Sequence, residues 1–307
     1  MNEREMEHIL NTIKSDKEHE AELDELYNIT QRKIEKDIDA FMNIYAGLDN
    51  VSMQLAKKKA TKIRMQEFYR DAEKIMEEQD VSARAREEAN EDIRKYRKTE
   101  IELLFSGIGI STILLADKEN KLLNDRLNRE RVEEVKRQSK IIGVNRTLEE
   151  INKVAAERTV KGWRTIDFSE SVWANQKELK AELEKTIRRV IINGENPKQA
   201  SSKIREKVAK DFKQKKYAAE RIARTESAFA QTVAQYESYK DMNVKHYQFI
   251  AEYSACDDCA DLNGEVFEVS EMMAGVNAPY IHPNCKCSTA AHFDRESWDA
   301  DLKARGL

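Results

Sequence analysis

The chain has 307 residues, of which 36% are charged and 7% aromatic, with a formal net charge of −4. That length admits two or three domains, and so few aromatics among so many charges argue against one large core. The near balance of charge excludes neither an acidic nor a basic partner, because the charges are unevenly spread along the chain.

No proline precedes Pro197, and the stretch before it is rich in Glu, Lys, Arg, Leu and Ala. Such a composition predicts long helices. Residues 1 to 50 read as one or two amphipathic helices, with Leu23, Tyr27, Thr30, Ile34, Ile38, Phe41, Tyr45 and Leu48 spaced by three and four. A stripe of this kind needs a partner helix, inside the chain or on another protein. Lys57, Lys58, Lys59, Lys62 and Arg64 form a basic patch that reads as a solvated helix face, with Leu55, Ile63 and Phe68 for packing. Residues 71 to 100 read as one long exposed helix. The most apolar run, Leu103 to Leu115, has 13 residues, fewer than the roughly 18 to 20 that span a bilayer. It predicts a buried helix in a bundle or oligomer interface, and the competing reading is a segment touching a membrane through its small residues. Helix continues to a break at Gly143 and Asn145, and Thr147 with Glu150 three positions on marks a new start.

Composition changes near residue 160, where Trp163 and Trp173 are the first tryptophans. Leu179, Leu183, Ile187 and Val190 predict an amphipathic helix that Asn193-Gly194 ends, and Asn196-Pro197 opens the next. Ile204, Val208 and Phe212 mark that helix; Ile222, Phe229, Val233 and Tyr236 mark another. Three consecutive helices with short joints predict a compact helical domain. Between Lys198 and Arg224 there are ten basic residues against three acids. Lys203, Arg205, Lys207, Lys210, Lys213, Lys215 and Lys216 are therefore candidate contacts to DNA phosphates. The competing readings are a solvated face or a contact with an acidic protein. After residue 240 the pattern alternates. His246 to Tyr253, Val266 to Val269 and Cys287 to Phe293 read as short strands, and Asn263-Gly264 as a turn. Residues 294 to 307, with Trp298, form a polar tail that could dock.

All four cysteines fall in this last segment, as Cys256-x-x-Cys259 and Cys285-x-Cys287, with His282 just before the second pair. Two short donor pairs on a folded-back loop are the usual construction of a tetrahedral zinc site. Cys256, Cys259, His282, Cys285 and Cys287 offer five donors for four places, so four cysteines or three cysteines and a histidine would serve. Two disulfides are the plainer alternative, set aside because no signal peptide is read. A redox Cys-x-x-Cys is the other, set aside because no βαβ unit accompanies it. Three short strands bury too little to stand alone, and a structural metal would supply the missing stability. No catalytic residue is assigned. Neither the His-x-Glu/Pro-Cys-x-x-Cys order of zinc deaminases nor a His-Glu-x-x-His motif occurs. Asp257, Asp258 and Asp261 read as an exposed loop, and Arg224 and Glu226 as structural ion-pair residues.

The run Cys256-x-x-Cys259-x-x-Leu262-x-Gly264-x-x-Phe267, then Pro279-x-x-His282-Pro283-Asn284-Cys285-Lys286-Cys287, resembles the C-terminal signature of phage head morphogenesis proteins. These are the minor head (minor capsid) proteins similar to protein F of phage Mu. Upstream, Arg221-Ile222-Ala223-Arg224-Thr225-Glu226 resembles a helix motif of the same family, so that Arg221, Arg224, Thr225 and Glu226 are its motif residues here. Lys286 stands where Arg is more usual, and a lysine makes no bidentate contact. The resemblance covers residues 160 to 293. It implies a structural, non-enzymatic minor head protein of a tailed bacteriophage, made in the host cytoplasm and carried in the virion, in the head interior or at the portal vertex. It implies the phage portal protein as partner, with packaged double-stranded DNA and other head proteins beside it, and a role in head assembly or in DNA packaging or delivery. The alternatives are a metal-dependent nuclease or toxin-like effector carried in the head, and a cellular scaffold with a zinc knob. The expected architecture is mainly α: a helical arm or bundle over 1–160, a basic helical domain over 161–240, and a zinc-stabilised α+β module over 241–307, with no membrane span.

Overall fold

The computed structural model describes residues 2–50, 52–78, 80–96, 98–161, 163 and 167–293. The tail expected at 294 to 307, with Trp298, lies outside the described residues. The chain is mainly helical, with a small strand module near its C-terminus. Its helices are α1 (Asn2–Asn43), α2 (Met53–Ala56), α3 (Lys62–Glu78), α4 (Ala83–Lys95), α5 (Glu100–Ile142), α6 (Leu148–Ala155), α7 (Phe168–Ile192), α8 (Pro197–Asp241) and the short α9 (Asp257–Asp261). The strands are β1 (His246–Ile250), β2 (Val266–Glu268) and β3 (Ser288–His292). No helix among the described residues is long and apolar enough to cross a membrane.

Local chemistry sets most boundaries. Thr147 and Glu150 form a reciprocal capping box at the start of α6. Gly143, at φ +81, turns the chain out of α5, and Gly194, at φ +65, does the same after α7. Pro197 begins α8, and the Asn196 side chain accepts from the Lys198 N–H at 3.1 Å. Two expectations are corrected. Residues 71 to 100 are not one exposed helix: α3 and α4 are separate, Ser82 caps α4 by accepting from the Ala85 N–H, and Ala85, Ala89 and Asp92 are buried. The two helices expected after Pro197 are one, because Lys216-Tyr217-Ala218-Ala219-Glu220 holds no glycine or proline to stop propagation.

The chain divides into two compact units that are discontinuous in sequence, and α1, α5 and α8 contribute residues to both. The first, here the helical unit, comprises Ala21–Leu122 and Ser169–Glu220. Its core holds Leu23, Tyr27, Ile34, Ile38 and Phe41 of α1 beside Leu104, Phe105, Ile108 and Leu115 of α5. Leu179, Leu183 and Ile187 of α7 and Ile204, Val208 and Phe212 of α8 complete it. The apolar run Leu103 to Leu115 is thus a buried stretch of α5. A Cβ added at Gly109 within it would run into the Asp92 carboxylate, which would have to shift. Asp92 in turn pairs with Lys180.

A carboxylate with an altered affinity for its proton is among the acids buried in this unit. Glu119 accepts hydrogen bonds from the Tyr27 hydroxyl at 2.9 Å and the Gln176 amide at 2.8 Å. Burial raises its pKa to about 7, and the two hydrogen bonds oppose that rise without cancelling it. A folded-state pKa above the unfolded value contributes stability that is complete below the ordinary carboxylate range and lost as pH rises to the folded value. The protein is therefore expected to lose on the order of 3 kcal/mol between about pH 4.5 and 7 from this group. Glu119→Gln should flatten that dependence, and urea unfolding across the range checks it; an unchanged slope would refute the assignment.

The second unit, here the Cys/His unit, comprises the residues up to Glu20, Leu123–Phe168 and those from Arg221 onward. Its three-stranded antiparallel sheet has the order β2-β1-β3. Tyr247 pairs with Phe267 on one side and Ala291 on the other. One face packs on Phe229, Val233 and Tyr239 of α8, with Trp163 and Ile142 in the same cluster. Beneath the sheet, Glu134 of α5 is buried and fully engaged. Arg137 donates twice to it at 2.7 Å, Gln138 at 2.8 Å and Gln235 at 2.9 Å. Burial pushes the Glu134 pKa up, but the Arg137 and His8 charges and these hydrogen bonds outweigh it and hold it near 2. Arg137 also reaches Glu5 of α1 at 2.6 Å, and Gln235 bonds Ser288 and Thr289 of β3 at 3.1 and 2.6 Å. Glu134→Ala would take the shared acceptor from Gln138 and Gln235 and leave Arg137 with Glu5 alone, and is expected to cost about 3 kcal/mol or more. Chemical denaturation of the full chain measures this, and a loss under about 1 kcal/mol would show the network to be dispensable.

Candidate metal centre

The strand register brings the two cysteine pairs together. Ile250, the last residue of β1, pairs with Ser288, the first of β3. The chain leaving β1 reaches Cys256 six residues later, and Cys287 immediately precedes β3. Cys256 stands immediately before α9 and Cys259 lies within it, three residues on, so the two share one side of a single turn. The return from α9 is tied down twice. The Asn263 side chain accepts from the Ala251 N–H at 3.0 Å, and Gly264, at φ +90, donates to the Phe249 carbonyl at 2.9 Å. The second pair sits on a tight turn in which the Cys285 N–H donates to the His282 carbonyl at 3.1 Å, with Asn284 left-handed at φ +69.

The five donors form two overlapping groups, Cys256, Cys259 and His282, and Cys259, Cys285 and Cys287, each with its ligand atoms within 4.8 Å of one another. Cys259 belongs to both. Its sulfur lies 3.9 Å from that of Cys285, and the Cys256 sulfur lies 3.2 Å from His282 Nε2. An ion with ligand bonds of about 2.3 Å to sulfur would set tetrahedral edges of roughly 3.8 Å. His282 Nδ1 donates to the Pro283 carbonyl at 2.8 Å. A carbonyl only accepts, so this bond places the proton on Nδ1 and leaves the Nε2 lone pair facing Cys256. All four cysteines are free thiols, with Cys259, Cys285 and Cys287 buried and Cys256 exposed. The donor set is soft and nitrogen- or sulfur-based, which fits a metal ion.

The thiols polarise one another. A hydrogen bond from the Cys287 thiol, with the backbone N–H groups of Cys287 and Ile281, lowers the Cys285 pKa to about 5 against the cost of burial. Burial and the Cys285 charge raise Cys259, while the bond given to Cys285, together with burial, raises Cys287. Cys285 is thus the thiol of the cluster that loses its proton most readily, and a bound cation would displace protons from its neighbours.

The family-motif residues of α8 lie beside this cluster. Asn284, between the donors His282 and Cys285, gives its N–H to the Thr225 hydroxyl at 3.4 Å. Thr225 itself donates to the Arg221 carbonyl at 2.8 Å. Arg224 pairs with Glu20 of α1 at 3.1 Å, Glu226 is buried with its charge bearing on Arg131, and Arg221 is exposed. The tie between Thr225 and Asn284 was missed in the sequence, where 59 residues separate the two.

The basic residues of α8 do not gather on one face. At about 100° per residue, Lys203, Lys207 and Lys210 share a side, while Arg205 and Lys216 fall on the opposite one. Lys203 pairs with Glu195 at 3.0 Å, Arg205 with Asp39 at 2.8 Å, Lys207 with Asp211, and Lys216 with Asp24. Lys215 is buried and meets Glu178 at 2.8 Å. Lys210 and Lys213 are exposed.

Because Cys259 serves both groups, Cys259→Ser is expected to abolish metal retention, whereas Cys256→Ser should only weaken it. Elemental analysis of the purified chain, with melting temperature before and after chelator, measures both. A wild-type chain that carries no metal, even after incubation with zinc, and melts identically with chelator would sink the metal centre.

Residues 181–290 match the family described as Phage Mu protein F like protein. No curated protein and no solved structure matches the chain. The matched span begins within α7, takes in the whole of α8 and ends inside β3, so it contains both the Arg221–Glu226 motif and all five donors. Over residues 181–290 the chain is similar to this phage head morphogenesis family.

Proposed function

We propose that this protein is a structural component of a tailed-phage head, bound at the portal vertex and present in the virion, acting in head assembly and in packaging or delivery of DNA. The observation that carries the reading is the family match over residues 181–290, which spans motif helix and cysteine cluster together. The metal is zinc in a closed structural role. In support, the two donor groups contain thiols and an imidazole and no carboxylate to act as a base. The zinc joins the ends of β1 and β3 and so braces a sheet whose strands have five, three and five residues. The protein performs no catalysis on this reading.

Co-expression of the full chain with the portal protein of the same phage tests it. A complex that survives size exclusion at moderate salt is expected, and its persistence after metal removal would separate portal binding from the zinc module. Absence of any complex across low and moderate salt would overturn the portal assignment.

A further inference from the structure

A cluster of lysines without a carboxylate partner lies away from α8, in the helical unit. Residues 57–61 join α2 to α3, and residues 96–99 join α4 to α5. The two joints form an antiparallel bridge in which Lys59 stands opposite Thr99. The Glu100 N–H donates to the Lys58 carbonyl at 3.0 Å, and the Ala60 N–H donates to the Lys98 carbonyl at 3.2 Å. This backbone pairing gathers Lys57, Lys58, Lys59 and Lys98 on two adjoining turns of the helical unit, with Lys62 following at the start of α3, all five exposed.

The acids within reach are already engaged. Glu100 pairs with Arg64 at 3.1 Å. Glu102 accepts the backbone N–H groups of Lys98 at 2.8 Å and Thr99 at 3.0 Å. Among the described residues, none of the five ammonium groups has an ion pair or a side-chain hydrogen bond. The first turn of α3 holds Lys62 and Arg64 and no acid, so the positive end of the helix dipole adds to the same field. Five like charges held on a fixed backbone repel one another, and a polyanion relieves that repulsion.

We propose that these paired turns form a contact surface for the phosphate backbone of double-stranded DNA. The ammonium groups are point charges, which attract backbone phosphates without imposing a bidentate geometry. The neighbouring aromatic, Tyr96, packs edge-on against Phe105 at 6.1 Å, which leaves no platform for stacked single-stranded bases. Binding is therefore sequence-independent and salt-dependent. The surface deepens the DNA contact within the head-protein reading and rests on that reading for the presence of a duplex.

Fluorescence anisotropy with a short mixed-sequence DNA duplex and the full-length chain tests it, over about 50 to 200 mM salt. One variant carries Lys57→Gln, Lys58→Gln and Lys59→Gln; the control carries Lys203→Gln, Lys207→Gln and Lys210→Gln on α8. Circular dichroism confirms that both fold. The turn variant should bind at least about tenfold more weakly, with a salt slope smaller by roughly 2 to 3, and the α8 control should retain the wild-type slope. Wild-type binding that the turn variant leaves unchanged would overturn the location while sparing DNA as partner. No wild-type binding at low salt, or equal affinity for polyglutamate, would overturn the duplex itself. The portal complex is judged separately, so neither result decides the head assignment.

Discussion

The Cys/His unit depends on a carboxylate taken out of water. Burying Glu134 is costly unless every lone pair is met, and here Arg137, Gln138 and Gln235 meet them. The same groups reach outward: Arg137 to Glu5 near the start of α1, Gln235 to Ser288 and Thr289 on β3. Tyr239 bonds Thr289 from the other side at 3.1 Å. Directional bonds of this kind fix register where apolar packing alone would tolerate sliding. Shifting β3 by one residue would present the wrong side chain to Gln235 and move Ser288 away from Ile250, separating the cysteine pairs.

The Cys/His cluster therefore rests on a prepared frame. β1, β2 and β3 bury little surface by themselves, but they are backed by Phe229, Val233 and Tyr239 of a 45-residue helix. A cation bound at Cys259 would close the far end of that sheet. Thr225 gives the arrangement a further constraint, since its hydroxyl holds the backbone of Asn284 between the donors His282 and Cys285. In this chain the contact ties the helix motif to the loop that carries the second cysteine pair.

Much of this was legible in the sequence, for identifiable reasons. The stripe from Leu23 to Tyr45 is buried as its spacing required, and Leu48, past the end of α1, is exposed. Capping at Thr147, the stop at Gly194 and the start at Pro197 were readable because local chemistry decides them. The strands and the five donors were readable because alternation and short spacing are local too. Two kinds of feature were hidden. The continuity of α8 turns on the absence of a stop signal between two apolar patterns, which spacing alone does not reveal. The buried polar groups Glu119, Glu134 and Asp92 look like surface acids until their partners, distant in sequence, are in place.

Charge was the feature least readable by composition. The excess of lysine and arginine on α8 suggested an open basic face, yet most of those cations answer acids elsewhere: Asp39 and Asp24 on α1, Glu178 on α7, and Glu195 just before α8. A one-sided run within one helix can be neutralised across a bundle, because each neighbour contributes its own stripe. The short lysine run at 57–59 has no such recourse. It lies on a turn, where no facing helix presents a stripe, and the acids beside it are consumed by Arg64 and by the cap of α5. Whether a basic segment is free to meet an outside anion depends less on its net charge than on whether a facing element presents acids to it. By that criterion the turns hold the open charge, and the helix richest in lysine spends most of its own on internal pairs.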